Sequence, residues 1–179
     1  MITVTNIRNI NYAAHDEVWA IVRSIKNPGR MKQIPELSPS WILFKKYLSL
    51  RDSGKWNAAA FQDVYVPTFL QEIRNAAARR KLTELIELDR QGKSICLACF
   101  CPDETLCHRS IVAGILQYTG IAIHGVKEDY SQYGKIWCSI AWLSLAVTSK
   151  LYILKKFRYN WKHRKKHITP ERIFPFRLQ

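Results

Sequence analysis

The chain has few acidic residues to balance its basic ones, and the deficit is concentrated at one end. It carries 28 Lys and Arg against 14 Asp and Glu, a formal net charge of +14 at pH 7. Residues 135–179 hold 11 of these cations and a single acid, Glu171, whereas residues 1–134 hold 17 cations and 13 acids. The basicity is therefore mainly a property of the C-terminal segment and does not characterise a site elsewhere.

The sequence also lacks a long, uninterrupted apolar run. Its most apolar segment, residues 136–154, contains one lysine and four Ser and Thr residues, whereas a membrane span needs roughly twenty predominantly apolar residues. We expect this segment to form a helix that packs on protein, with a membrane role disfavoured. The first residues lack the basic region and apolar core of a signal peptide. These absences predict a cytoplasmic protein.

Two familiar catalytic motifs are missing. No Gly-x-Ser-x-Gly elbow surrounds Ser38 or Ser40, so both serines are better interpreted as helix caps than as nucleophiles. The cysteine phosphatase pattern places a cysteine six residues before an arginine, but Asp103 stands six residues before Arg109. That mechanism is excluded.

What is present indicates one folded domain with reduced thiols. The chain has 179 residues, 47% of them hydrophobic and 23% charged, which is typical of a globular protein. Four of its five cysteines lie between residues 96 and 107. Cys99 and Cys101 are two apart on one strand face and poorly placed to pair, so reduced thiols or a metal site fit better than a secreted disulfide framework.

The clearest pattern is a strand, a loop and a helix over residues 94–116. A short apolar run between Gly92 and Pro102 predicts a buried strand, and apolar residues at helical spacing after residue 107 predict a helix that stops near Gly120. Such units place ligands at the carboxyl end of the strand in open α/β sheets. We expect the crevice there to be lined by Cys99, Cys101, Cys107, His108 and Arg109.

Further strands are predicted at residues 2–7, 17–25 and 121–126. Helical patterns begin near Ser40, Asn57 and residue 76. Arg23 and Ser24 lie near the end of the second strand, on the same sheet edge as the cysteines if the strands are parallel.

Three interpretations of the cysteine loop remain open. Cys99, Cys101, Cys107 and His108 could bind tetrahedral zinc, although the spacing is not a paired Cys-x-x-Cys motif. Cys107 could instead be a reactive thiolate, stabilised by the helix N-terminus and the two cationic residues that follow it. Free backbone N–H groups with His108 and Arg109 could also bind an anion.

The C-terminal segment supplies a separate hypothesis. Residues 155–166 contain seven Lys and Arg interleaved with Phe157, Tyr159 and Trp161. Basic residues among aromatics suit nucleic acid or another anionic surface. A solvated cationic tail is the alternative.

The cysteine loop resembles a known family. The run from Cys96 to Ser110, Cys-Leu-Ala-Cys-Phe-Cys-Pro-Asp-Glu-Thr-Leu-Cys-His-Arg-Ser, is similar to the motif of the DUF488 family of bacterial and phage proteins. Val-Trp-Ala-Ile-Val-Arg-Ser ending at Ser24, the turn at residues 37–40 and Phe61-x-x-x-Tyr65 match other motifs of that family in the same order. The resemblance covers about residues 1–134.

The resemblance implies a Rossmann-like three-layer α/β domain with a mostly parallel sheet. This domain would occupy residues 1–134, and residues 135–179 would add an apolar helix and a basic extension. The implied pocket surrounds Cys107, His108, Arg109 and Arg23.

The first functional hypothesis is that this pocket binds a phosphorylated, nucleotide-like small molecule. The ligand would contact Arg23, Ser24, Ser40, Cys99, Cys101, His108 and Arg109, with Tyr130 and Tyr133 near its base. The alternative is an enzyme acting on a nucleotide or nucleic acid, with Cys107 and His108 catalytic or with a Cys-ligated metal that activates water. A second alternative is nucleic-acid binding through residues 155–166.

Overall fold

The domain is built on a five-stranded sheet, as seen in a computed structural model that describes residues 1–139. The strands lie in the order β3-β2-β4-β1-β5, and every described pairing is parallel. The α/β class and the parallel sheet are therefore confirmed. The strands are β1 (Ile2–Asn6), β2 (Glu17–Ala20), β3 (Lys32–Gln33), β4 (Ile95–Cys99) and β5 (Ile123–His124).

Four α-helices lie between β3 and β4 and a fifth between β4 and β5, and most of them begin at a polar N-cap. Ser40, Asn57 and Asn75 each accept a backbone N–H bond at the start of a helix, which satisfies one of the donors that a helix leaves unpaired. The helices are α1 (Trp41–Asp52), α2 (Ala58–Ala60), α3 (Val66–Glu72), α4 (Ala76–Arg90) and α5 (His108–Tyr118).

A π-helical turn, Phe61–Tyr65, joins α2 to α3. The N–H of Val66 bonds to the carbonyl of Phe61, and the next residue, Pro67, has no N–H to continue the α-helical ladder. The helical chain continues through this turn into α3, and the turn places Tyr65 towards the site described below.

The α-helices pack on one face of the sheet. Alternate residues of β4, such as Leu97, join a core that also contains Phe69, Leu85 and Ile111 from α3, α4 and α5. On the opposite face, Cys96 and Ala98 pack with partly buried residues of the 3₁₀ turns and nearby loops. The period-two alternation of a strand places successive side chains on these two faces.

Two predicted strands are shorter than expected. β2 ends at Ala20 rather than at residue 25, although the Ile21 N–H still donates to the carbonyl of Ala98. Its neighbours β4 and β3 end at Cys99 and Gln33, so no strand remains to pair with the residues that follow. β5 covers only Ile123–His124 of the predicted residues 121–126.

The described chain ends in a helix over residues 131–139. The predicted basic segment 155–166 and most of the predicted C-terminal helix lie outside the described residues. Among residues 1–139, every helix is too short or too polar to cross a membrane.

Candidate metal centre and aromatic cavity

The cysteine loop lies where the carboxyl ends of β1 and β4 meet. Asn6 ends β1 and pairs in register with Cys99, which ends β4. The Asn6 amide donates to the carbonyls of Phe100 and Cys101, at 3.1 and 2.9 Å. These bonds hold the loop over the edge of the sheet, and the loop leads to Cys107 at the start of α5.

Four side chains of this loop converge as the spacing predicted. The ligand atoms of Cys99, Cys101, Cys107 and His108, which we call the tetrad, all lie within 4.8 Å of one another. The Cys99 sulfur lies 3.4 Å from that of Cys101 and 3.6 Å from that of Cys107. The Nδ1 atom of His108 lies 3.9 and 3.8 Å from the sulfurs of Cys99 and Cys107.

These separations match the edges of a metal-centred tetrahedron. Zn–S bonds of about 2.3 Å and Zn–N bonds of about 2.0 Å give S···S edges of about 3.8 Å and S···N edges of about 3.5 Å. The tetrad could therefore hold a metal ion.

The His108 ring is oriented by a bond on its far side. Its Nε2 atom lies 2.8 Å from the carbonyl oxygen of Ile21, just beyond the end of β2. A carbonyl only accepts, so Nε2 carries the proton and Nδ1 faces the sulfurs with its lone pair. Metal-binding histidines commonly have their other ring nitrogen fixed in this way.

The Cys99 and Cys107 thiols differ in acidity because they share one small volume with a third sulfur. Hydrogen bonds with the Cys101 and Cys107 thiols hold the pKa of Cys99 well below its usual range. Burial raises the pKa of Cys107, and the neighbouring sulfurs raise it further. Cys99 therefore loses its proton readily, whereas the negative charge on its sulfur opposes the loss of a proton from Cys107. A cation bound at the centre of the tetrad would remove this opposition.

Arg109 lies beneath the tetrad and does not open into the cavity. It is 4% exposed, and its Nη1 donates to the carbonyls of Thr5 and Cys101, both at 3.1 Å. No carboxylate in residues 1–139 forms an ion pair with it. A buried charge needs a partner of opposite sign, and the Arg109 charge lowers the pKa of Cys99. The guanidinium is sealed by packing as a counter-charge to the sulfurs and does not line the cavity above them, so the structure does not bring Arg109 to the predicted ligand site.

An apolar cavity of about 350 Å³ opens above the tetrad. All four tetrad residues line it, and so do Arg23 and Ser24, as predicted from the sheet edge. Its remaining walls are mainly aromatic: Trp41, Phe44, Tyr47, Trp56, Tyr65 and Phe100. Edge-to-face contacts at 4.8 to 5.9 Å between ring centroids fix Trp56 against Tyr47, Phe61 and Tyr65.

A second, polar cavity of about 420 Å³ lies beside the first, and Arg23 lines both. Ser40 lines this second cavity, where its backbone N–H and hydroxyl both donate to the Glu72 carboxylate. Ser40 is thus the N-cap of α1, as predicted, and contacts neither the tetrad nor the aromatic cavity.

Tyr130 and Tyr133 lie elsewhere. Both are buried in the core and line neither of the two cavities. Their rings stack on each other at 6.2 Å, and the Tyr133 hydroxyl accepts a bond from Gln62. The structure does not bring these tyrosines to the predicted ligand site; the packing of Tyr130 against α5 requires the absence of a side chain at Gly114.

Sequence reasoning missed most of the cavity wall. Trp41, Phe44 and Tyr47 recur every three residues along α1, which places them on one helix face. That spacing was visible, but it could not show that the face turns towards the cysteine loop. The backbone carbonyl of Ile21 and the Asn6 amide carried no sequence signal.

Fold and site together define a parallel α/β domain whose thiol–imidazole tetrad forms the floor of an aromatic cavity. The family model DUF488-N3a, described as the active DUF488-N3 subclade, matches residues 2–120. This range includes every tetrad residue and the helices α1 to α5. The chain belongs to the DUF488 family. No curated protein and no solved structure gives a significant match.

Proposed function

We propose that this protein binds a nucleotide-like small molecule in the aromatic cavity, above a zinc ion held by the tetrad. The observation that carries the proposal is that six aromatic side chains and the tetrad line one cavity. Flat apolar walls favour a planar ring, because bases stack on aromatic side chains with little dependence on their identity.

Arg23 is the residue best placed to hold a phosphate. Its Nε and Nη2 donate to the carbonyls of Pro39 and Ser38, which fixes the guanidinium at the cavity wall. Nη1 makes no hydrogen bond within the described part of the chain. An arginine held in this way offers a pre-positioned donor to an anionic group.

Zinc fits the donor set better than a hard cation does. Three sulfurs and one imidazole nitrogen suit zinc, whereas calcium and magnesium prefer oxygen ligands. Zinc bound by four protein ligands would keep the cysteines deprotonated and fix the loop between β4 and α5. Free thiols throughout the described chain suit the reducing cytoplasm.

A second candidate is an enzyme that acts on a nucleotide or nucleic acid. The tetrad faces the cavity with a partly exposed sulfur on Cys101, and the matching family model is described as an active subclade. Turnover assays with nucleotides test this candidate separately from binding.

Ligand binding is tested by thermal unfolding with mononucleotides, nucleosides and ribose phosphate. A ligand at a hundred times its dissociation constant stabilises the fold by about 2.7 kcal/mol. We expect Trp41→Ala to lower the apparent affinity for the nucleotide, measured from the thermal shift, at least tenfold. The substitution should not lower the melting temperature of the protein without nucleotide, because Trp41 is 54% exposed. Ile42→Ala is the matched control, since Ile42 is 83% exposed on the same helix and lines neither cavity. No shift with any nucleotide, or equal losses in both variants, would reject the proposal.

Zinc is tested by elemental analysis of the purified full chain. We expect one zinc per chain in the wild type and a loss of zinc in Cys99→Ser and Cys107→Ser. Cys96→Ser is the matched control, because Cys96 lies on the same strand but on the opposite face of the sheet. Retention of zinc in the tetrad variants would refute the assignment.

A further inference from the structure

We infer that Cys101 is the nucleophile of the tetrad and accepts an alkyl group from a planar, cationic heteroaromatic ligand in the cavity. The inference rests on the proposed function, because it takes the ligand from the aromatic cavity and the thiolates from the metal centre. It adds a group-transfer step and names the atom that performs it.

The three sulfurs differ in the hydrogen bonds they accept. The Cys99 sulfur accepts the backbone N–H of Cys101 at 3.5 Å, and the Cys107 sulfur accepts that of Arg109 at 3.4 Å. In the described part of the chain, no backbone N–H donates to the Cys101 sulfur. Donated hydrogen bonds withdraw electron density from a metal-bound sulfur. Cys101 therefore retains the most nucleophilic lone pair.

Solvent exposure also distinguishes Cys101 from the other two cysteines. Cys99 and Cys107 are 2% and 1% exposed, whereas Cys101 is partly exposed and lies between β4 and α5, outside any regular element. Its carbonyl is held by Asn6 and Arg109, so the backbone stays fixed while the side chain faces the cavity. A bound ligand reaches this sulfur first.

The cavity walls can hold a positively charged ring. The electron-rich faces of the Trp and Tyr side chains that line the cavity attract a cation. The same ligand can carry a phosphate towards Arg23 without altering the charge on its ring. N-alkylated purinium nucleotides combine these features.

The proposed step balances without a further reactant. The Cys101 thiolate forms a C–S bond to the alkyl carbon while the bond from that carbon to the ring nitrogen breaks. The electron pair of the broken bond stays on the nitrogen, which neutralises the ring. The products are a thioether on Cys101 and the dealkylated base, and no proton or oxidant takes part.

The test uses the zinc-loaded full chain and peptide mapping by mass spectrometry. Monophosphates of 7-methylguanosine, 3-methyladenosine and 1-methyladenosine are the donors, and their unmethylated parents are the controls. We expect one methyl group on Cys101 with at least one donor, and none with the parents. A methyl group on other cysteines instead, or on no cysteine with any donor, would overturn the inference.

Iodomethane then measures the intrinsic reactivity of Cys101 against an internal standard. Cys138 is also partly exposed but lies outside the tetrad. Because Cys101 lines the cavity and no backbone N–H donates to its sulfur, we expect it to react about tenfold faster than Cys138 or more. Equal rates would overturn the inference.

Matched variants separate this inference from the proposed function. Cys101→Ser should abolish methylation and Cys138→Ser should leave it unchanged, with zinc content and nucleotide-induced thermal shifts recorded on the same samples. If zinc and nucleotide still bind but Cys101 is not methylated, the group-transfer step fails and the proposed function stands. If zinc and nucleotide binding are both absent, the proposed function itself fails.

Discussion

The Nε2 atom of His108 lies 2.8 Å from the backbone carbonyl oxygen of Ile21. This bond joins the first residue of α5 to the residue after β2, which are 87 positions apart in the sequence. Because the carbonyl fixes the proton on Nε2, the bond sets which imidazole nitrogen faces the three sulfurs. The orientation of His108 in the tetrad thus depends on the chain at the end of β2, although β2 contributes no residue to the tetrad.

Replacing His108 should weaken metal binding more than it weakens the fold. His108→Gln removes the imidazole donor, and we expect zinc affinity to fall by at least about 10- to 100-fold, the loss typical of changes to the groups around a metal ligand. Competition with a chromogenic chelator measures this affinity. His124→Gln is the control, since His124 is exposed on β5. Unchanged affinity in His108→Gln would show that the imidazole is not a ligand.

The charge of Arg109 should stabilise the metal-loaded protein. Arg109→Met keeps much of the buried volume but removes the charge, and breaking a buried charge pair costs about 3–5 kcal/mol. Arg109→Lys keeps the charge while losing the planar fork that reaches Thr5 and Cys101, so we expect an intermediate loss. Urea unfolding of zinc-loaded samples gives the free energies. Equal losses of unfolding free energy in both variants would show that the hydrogen bonds of Arg109, rather than its charge, stabilise the protein.

A methyl group at Gly114 should disrupt the packing of α5. A Cβ atom there would lie 2.0 Å from the Tyr130 carbonyl oxygen, so the backbone must shift. We expect Gly114→Ala to lower the free energy of unfolding by about 3 kcal/mol or more, at the upper end of overpacking costs. Gly54→Ala is the matched control: its φ of 68° is strained for alanine, but no atom lies within 4 Å of the added Cβ. We expect a cost there of only about 1–2 kcal/mol. Thermal or urea unfolding that ranks the two variants in the opposite order would contradict the described contact.

Cys96 should make stability depend on alkaline pH. Burial raises its pKa from 9.0 to about 11, so the Cys96 thiol ionises at a lower pH in the unfolded chain than in the folded protein. Stability from this group is complete below pH 9 and is lost as the pH rises through about 11. Cys96→Ala removes the titration, so the free energy of unfolding should decline less steeply from pH 9 to 11 than in the wild type. Parallel curves for the two proteins would exclude the effect.

Local signals predicted much of the fold. The apolar runs of β1 and β4 and the helix starts at Ser40 and Asn57 all depend on neighbouring residues, and they are confirmed. The length of β2 could not be predicted in this way, because it depends on where β3 and β4 stop.

The candidate site was predicted only in part. Four tetrad residues within ten positions must lie close together once a strand, a loop and a helix enclose them. The positions of Arg109 and Tyr130 could not be predicted, because a side chain next to a site can point towards it or away from it, and residue type does not decide which. Arg109 packs inward as a counter-charge, and Tyr130 packs against Gly114.

The sequence by itself determined the strand–loop–helix unit and the presence within it of four side chains that could hold a metal ion, since these follow from local spacing. Only the tertiary structure decided that α1 and the π-helical turn wall a cavity above the tetrad, and that Ile21 orients His108. The physical reason is that such contacts join segments far apart in the chain, whose meeting is set by the packing of the whole sheet and its helices.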